Sequence, residues 1–434
     1  MNSYTSKDII QGKNIVVVGA GISGIGAARL GAQKGAYVRV LEKDREAVDA
    51  DKAKLLEDKK IDISFGEHAY KQFADAHMIV LSPGIPLGQI KGFVPEDVQV
   101  YSELEFAYWF VQAPVVGVTG TNGKTTTVRL LEHVFRHAGY NVFLGGNIGV
   151  PLSEYVLSGQ EADILVLEVS SFQLELVRGF RPHVGVLLNI SPNHLDFHTD
   201  MQQYFRSKMR LFENQKCEDL AIFPEQMAET LQEGNWTRAE KKFFSAGKNW
   251  DCPALIGEHN QANIQAAALV CARWGIRELE VEYALQDFQS YPHRLQQVCE
   301  KNGVLFIDDS KATTLEALKA ALKSLHRPVL LLAGGVFKGG DPESLREVIK
   351  KKVRTIALFG ESRDIFQEAW KNCAQIFWKE TLQEAVEELN RLATPGDVVL
   401  LSPGTSSFDL FNSYKERGRA FQEAVSKLHE HSSF

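Results

Sequence analysis

The chain has 434 residues, 44% of them hydrophobic and 24% charged, which suits several folded domains and argues against a disordered or fibrous polymer. Its 48 Lys and Arg against 55 Asp and Glu leave a net charge of −7, so nothing in the overall balance attracts nucleic acid or an anionic membrane. The five cysteines are odd in number and form no CxxC pair, which argues against a disulfide framework or a zinc knuckle and fits a reducing cytoplasm. The start, MNSYTSKDIIQGK, lacks a basic stretch followed by an apolar core, so no signal peptide is expected.

In chain order, strands, Gly-rich turns and helices alternate, which predicts α/β lobes built on parallel sheets. The pattern starts three times: at NIVVVGAGISG, at VVGVTGTNGKTT, and at VLFIDDS after SYPHRLQQV. In the first lobe a strand over 14–18 leads into Gly19-Ala20-Gly21-Ile22-Ser23-Gly24, and a second strand over 37–41 ends at Glu42-Lys43. Glu42 lies 21 positions after Gly21, near the spacing of a ribose-binding acid in a Rossmann turn. A third strand, 78–81, ends in Ser82-Pro83-Gly84. Residues 106–123 carry no charge, but Pro114 and the glycines make them linker, strand and loop rather than a membrane helix.

The second lobe opens on the buried-strand run 115–118, then Gly120-Thr121-Asn122-Gly123-Lys124-Thr125-Thr126 and an amphipathic helix. Glycines let backbone N–H groups converge on an anion at a helix N-terminus, Lys124 reaches terminal phosphates, and the Thr125 hydroxyl suits Mg²⁺. The spacing departs from the standard phosphate loop, with Val118 at the first glycine position. Downstream, the apolar run 164–167 closes on Glu168, a carboxylate placed as a Mg²⁺ ligand. The strand beginning at Val184 runs into Asn193-His194-Leu195-Asp196, a metal or phosphate site or an ordinary loop. Lys208 has Tyr204, Phe205, Leu211 and Phe212 at helical spacing, which puts a cation on an apolar stripe. It either snorkels to the rim or points into a site. Pro224 to Gly257 has no clear period.

Two nucleotide-type turns and a third α/β unit suit an enzyme that joins two substrates at the expense of ATP. An NAD-linked dehydrogenase leaves the phosphate loop without a task. The runs 119–125 (TGTNGKT), 145–149 (GGNIG), 167–174 (LEVSSFQL), 194–196 (HLD), 257–260 (GEHN), 292–294 (PHR), 309–313 (DSKAT) and 401–403 (LSP) resemble the Mur ligases across nearly the whole chain. The DSKAT run and the Rossmann-like first lobe resemble the branch that adds D-glutamate. Another Mur-type or a folylpolyglutamate-type amide ligase is the alternative.

The resemblance implies three α/β domains: a Rossmann-like domain for the UDP substrate over 1–103, a central P-loop domain for ATP over 104–297, and a C-terminal Rossmann-like domain over 298–434. It implies that ATP activates UDP-N-acetylmuramoyl-L-alanine as an acyl phosphate, which D-glutamate captures, in peptidoglycan synthesis. Thr125 and Glu168 are then expected at one Mg²⁺, and His194 and a carbamylated Lys208 at a second. Lys124, Glu168, His194 and Lys208 are the expected catalytic set. Gly120 to Thr126, Asn260, Asn263, Arg294, Asp309 and Lys311 are expected at ATP. Ile22, Ser23, Glu42, Lys43, Ser82, Gly84 and Asn147 are expected at the UDP substrate, and Thr313, Lys338, Ser407 and Phe408 at D-glutamate. A cytoplasmic monomer, with neither nucleic acid nor membrane insertion, completes the expectation.

Overall fold

The computed structural model describes residues 10–57, 61–191, 200–232, 234–252, 254–255, 257–289 and 292–428. The chain divides into two compact units, 1–248 with 262–284, and 249–261 with 285–434.

The first unit carries two parallel sheets. β1 (Asn14–Val18), β2 (Tyr37–Glu42), β3 (Asp62–Phe65), β4 (Met78–Leu81) and β5 (Gln99–Ser102) lie in the order β3-β2-β1-β4-β5. The apolar runs NIVVV and MIVL become central strands because both of their faces are covered by packing. The second sheet has β6 (Val115–Thr119), β7 (Val142–Gly146), β8 (Ile164–Glu168), β9 (Val184–Leu187), β10 (Leu220–Pro224) and β11 (Glu240–Phe244), in the order β11-β10-β9-β6-β8-β7. β11 supplies structure to the segment that had no period. Its sequence EKKFF is mostly exposed at the sheet edge, so burial wrote little pattern into it. The uncharged run at 106–123 resolves into the end of the Glu103–Tyr108 helix, β6 and the phosphate loop. Among the described residues no helix is long and apolar enough to cross a membrane.

These two sheets share one apolar core. Val17, Val40 and Val80 of the first belong to the same cluster as Leu165 and Leu167 of the second, joined through Leu104, Phe106, Leu152, Leu174 and Phe180. The Glu103–Tyr108 helix is the joint. Ser102 caps it by accepting from Glu105 N at 3.2 Å. The Glu105 carboxylate accepts the backbone N–H groups of Arg178, Gly179 and Phe180 at 3.0, 2.9 and 2.8 Å. Glu103 Oε1 accepts from Ser153 N at 2.7 Å, at the start of the Leu152–Ser158 helix.

The second unit holds β12 (Gln296–Lys301), β13 (Val304–Asp308), β14 (Val329–Gly334), β15 (Val353–Phe359), β16 (Gln375–Trp378) and β17 (Val398–Leu401), in the order β12-β13-β17-β14-β15-β16. This sheet corrects two expectations. Its first strand is β12 rather than the VLFID segment, and β12 runs antiparallel to β13. The hairpin between them turns on Asn302 and Gly303, with φ of +50° and +74°, a pair suited to a two-residue turn. Apolar layers cover both faces of the sheet, one through Ile307, Leu331 and Leu400, the other through Phe306, Leu330 and Leu401.

Candidate active site at the strand ends

The phosphate loop leaves the C-terminal end of central strand β6. Gly120 has φ +150°, and a Cβ there would meet Leu188 Cβ at 3.1 Å. Gly123 has φ +85° and caps the Lys124–His137 helix in the left-handed region, so the helix opens directly on Lys124. The neighbouring strand end holds the loop in place. Thr121 N donates to Asn189 O at 3.1 Å, and Asn122 N donates to Asn189 Oδ1 at 2.9 Å. Thr121 Oγ1 accepts from Ser191 N at 3.0 Å and stands 3.2 Å from the Tyr204 hydroxyl. Lys124 Nζ donates to Gly120 O at 2.7 Å and Thr121 O at 2.8 Å. Asn263 packs on the loop, because a Cβ on Gly123 would stand 2.7 Å from Asn263 Oδ1.

Glu168 ends β8 with its side chain buried beside this loop. Its Oε2 accepts from Thr125 Oγ1 at 2.8 Å and its Oε1 from Asn147 Nδ2 at 2.8 Å. Strand register brings the three together: Glu168 pairs with Val118 of β6 and with Gly146 of β7. Gly146, at φ +99°, is required there because a Cβ would run into the Glu168 carbonyl. The hydroxyl and carboxylate of Thr125 and Glu168 are hard oxygen donors within contact, which fits Mg²⁺.

Lys208 does not snorkel. It is 1% exposed on the Met201–Met209 helix, and Nζ donates to Gly120 O at 2.9 Å and Thr119 Oγ1 at 3.4 Å. Burial, reinforced by Lys124, pushes its pKa from the ordinary 10.5 down to about 6, while Glu168 pulls the other way. An uncharged amine therefore sits among the strand ends at neutral pH. His194 and Asp196 lie outside the described residues.

In the first lobe, Gly19 N donates to Leu41 O at 2.8 Å and Ala20 N to Glu42 Oε2 at 2.7 Å, so Glu42 fixes the glycine turn itself. Ser82 is buried behind the turn, with Oγ 3.4 Å from Gly19 O. Ile22, Lys43 and Gly84 are exposed and Ser23 is half-buried. Lys43 meets Glu67 at 3.1 Å in an exposed pair of little energetic weight.

The second unit groups its expected residues at the ends of β13, β14 and β17. Asp309 is buried, accepting from Ser402 Oγ at 2.8 Å and Leu295 N at 3.1 Å. Burial raises its pKa to about 7, against these hydrogen bonds and the pull of Arg294. Lys311 Nζ lies 5.2 Å from the Tyr414 ring centroid, and Thr313 N donates to Lys311 O at 2.8 Å. Lys338 Nζ stands 5.7 Å from the ring centroid of Phe408, which is exposed, while Ser407 is buried. Asn260 is buried on the Glu258–Ala272 helix, one turn before Asn263.

Asn189, Ser191 and Tyr204 were not singled out as loop partners in the sequence. Their signal was positional: two follow a buried strand adjacent to the phosphate loop, and one lies a turn before Lys208.

Three family profiles match in succession: the Mur ligase MurD-like N-terminal domain over 13–99, the Mur ligase middle domain over 118–251, and the Mur ligase glutamate ligase domain over 293–404. The chain is similar to UDP-N-acetylmuramoylalanine–D-glutamate ligase of Oleidesulfovibrio alaskensis, 47% identical over 416 residues, covering 94% of this chain and 93% of that protein. The ligase of the same name from Nitratidesulfovibrio vulgaris strain DP4 is 46% identical over 426 residues, covering 98% of each. In fold it is similar to MurF ligase from Thermotoga maritima in complex with ADP, with a TM-score of 0.59 at 20% identity and 97% of both chains covered.

Proposed function

The chain belongs to the Mur ligase family, and from that we propose that it joins D-glutamate to UDP-N-acetylmuramoyl-L-alanine at the expense of ATP, in peptidoglycan synthesis. The observation that carries the reading is the contact of the Thr125 hydroxyl with the Glu168 carboxylate at the phosphate loop, with the buried Lys208 amine bonded to Gly120 O of the same loop. Residues 1–103 take the UDP substrate, 104–297 take ATP, and 298–434 take the amino acid and also contact ATP.

A carboxylate is a poor electrophile, so the reaction begins by making it a better one. The alanyl carboxylate oxygen attacks the γ-phosphorus of ATP, the bond to the bridging oxygen breaks, and ADP leaves. The D-glutamate amine then attacks the acyl carbon and loses a proton, and inorganic phosphate departs with the electron pair of the C–O bond. The loop amides and Lys124 hold the phosphates, so the enzyme contributes positioning and charge stabilisation. Thr125 and Glu168 would hold Mg²⁺, with Asn147 orienting Glu168 through its hydrogen bond to Oε1. Mg²⁺, when bound, neutralises charge on the phosphate oxygens.

Lys208 has the chemistry for carbamylation. Its nitrogen lone pair is available at neutral pH to form a bond to the carbon of CO₂ with loss of one proton, which would turn a buried amine into an anion able, together with His194, to hold a second Mg²⁺. Asn260 and Asn263 serve the adenine region; Arg294, Asp309 and Lys311 serve ATP. Ile22, Ser23, Lys43, Ser82 and Gly84 line the uridine diphosphate, with Glu42 holding the turn beneath it. Thr313, Lys338, Ser407 and Phe408 hold D-glutamate.

A substrate panel tests the proposal. ADP release is expected only with UDP-N-acetylmuramoyl-L-alanine and D-glutamate both present, and L-glutamate should give no coupled product. Coupling of a different amino acid in preference to D-glutamate would transfer the chain to another branch of the family.

A further inference from the structure

Arg417 belongs to no motif used above, yet it is the largest buried cation among the described residues of the second unit. It lies on the first turn of the Tyr414–Lys427 helix and is fully excluded from solvent. Its guanidinium makes five hydrogen bonds, all to neutral oxygens. Nε donates to Ser310 Oγ at 3.1 Å. Nη2 donates to Ser310 O at 2.8 Å and Thr405 O at 3.0 Å. Nη1 donates to Ser406 O at 3.1 Å and Gly334 O at 3.4 Å. A guanidinium has five N–H donors, so every one is engaged.

The acceptors sit on three loops that leave adjacent strands, because β13, β17 and β14 are neighbours in the sheet. Ser310 follows β13 and stands between Asp309 and Lys311. Gly334 ends β14 and begins the turn to Lys338. Thr405 and Ser406 follow β17 and precede Ser407 and Phe408. A second contact ties two of these loops, since Val336 and Ser406 exchange backbone hydrogen bonds at 3.0 Å each. Gly335, at φ +133°, leaves room for it: a Cβ there would collide with the Ser406 carbonyl and stand 3.1 Å from Arg417 Nη1.

We propose that Arg417 is a positioning residue for the acceptor amino acid, fixing in one register the three loops that carry Thr313, Lys338, Ser407 and Phe408. The inference rests on the ligase reading above for the identity of the acceptor. Only a planar fork can span three loops at once. An ammonium has three donors on one atom and reaches fewer of these carbonyls.

The test is Arg417→Lys in the full chain, which keeps the charge and most of the volume, with Arg417→Gln as a second variant should the lysine variant fail to fold. Two readouts are needed. Amide hydrogen exchange is expected to rise about tenfold or more in 334–338 and 404–408, with no change in 117–126. Steady-state kinetics are expected to show the KM for D-glutamate raised about tenfold, and the KM values for ATP and UDP-N-acetylmuramoyl-L-alanine within about twofold of the parent. Unchanged exchange in both loop segments overturns the proposal. So does faster exchange with an unchanged KM for D-glutamate, because the residue is then only structural. Equal rises in all three KM values also overturn it. Failure of the unaltered chain to couple D-glutamate is a separate result, visible before any substitution, and it removes the ligase reading together with the inference built on it.

Discussion

Lys208 enters the fold as an amine, and its titration is its signature. The folded value of about 6 lies below the ordinary 10.5, so between those limits the unfolded chain holds more protons and this residue's contribution to stability rises with pH. Lys208→Met is therefore expected to abolish coupling while raising the melting temperature, most of all below pH 6, where the parent must bury a cation. Calorimetry across pH 5–9 checks the sign, and a uniform loss of stability would contradict it. Coupling by the parent should fall as pH drops through about 6, because the protonated amine cannot take up CO₂. Lys208→Ala should regain part of its activity with added bicarbonate. At the loop, Lys124→Ala removes the charge proposed to hold the phosphates, and coupling should fall by at least about 10²–10³-fold, read as ADP release, with binding of the UDP substrate unaltered.

At the scale of elements, sharp turns and buried carboxylates control the result. Gly123→Ala puts a side chain into left-handed backbone, which costs about 1–2 kcal/mol. It also pushes on Asn263, so a rise in the KM for ATP should accompany a lower melting temperature. Glu103, at the joint between helices, has its pKa raised to about 7 by burial. The folded state keeps this proton between pH 4.5 and 7, so stability falls as pH rises through that window. Glu103→Gln retains an acceptor for Ser153 N and should flatten the slope, with its largest gain in melting temperature above pH 7. Much of this architecture was legible beforehand because β1, β4, β6 and β8 are buried on both faces and carry unbroken apolar runs. β11 and β12 were not, since edge strands answer to solvent on one side and their composition is mixed. The Asn302-Gly303 dipeptide is a turn signal that would have marked β12, but in the sequence the VLFID segment reads as the first strand. At the site, Lys208 was readable from its place on an apolar stripe. Arg417 has the same signature, with Phe421 and Ala424 at helical spacing, but no motif surrounds it to set it apart from an ordinary helix arginine.

At the scale of the whole molecule, the grouping of cores differs from the grouping of motifs. The sequence starts its pattern three times, whereas apolar packing divides the chain into two units, the first of which covers both leading sheets. Calorimetry should accordingly resolve two cooperative transitions rather than three. UDP-N-acetylmuramoyl-L-alanine at 100 times its Kd should stabilise the unit with the first two sheets by about 2.7 kcal/mol. A third, separate transition for residues 1–103 would disprove the shared core. The helix at 103–108 explains why. Glu105 seizes three amides of the following lobe while Leu104 and Phe106 fill the apolar seam. A gene cut at the motif boundary would thus yield a leading fragment with a raw greasy flank, prone to precipitate, whereas a cut placed after the second sheet leaves that seam sealed.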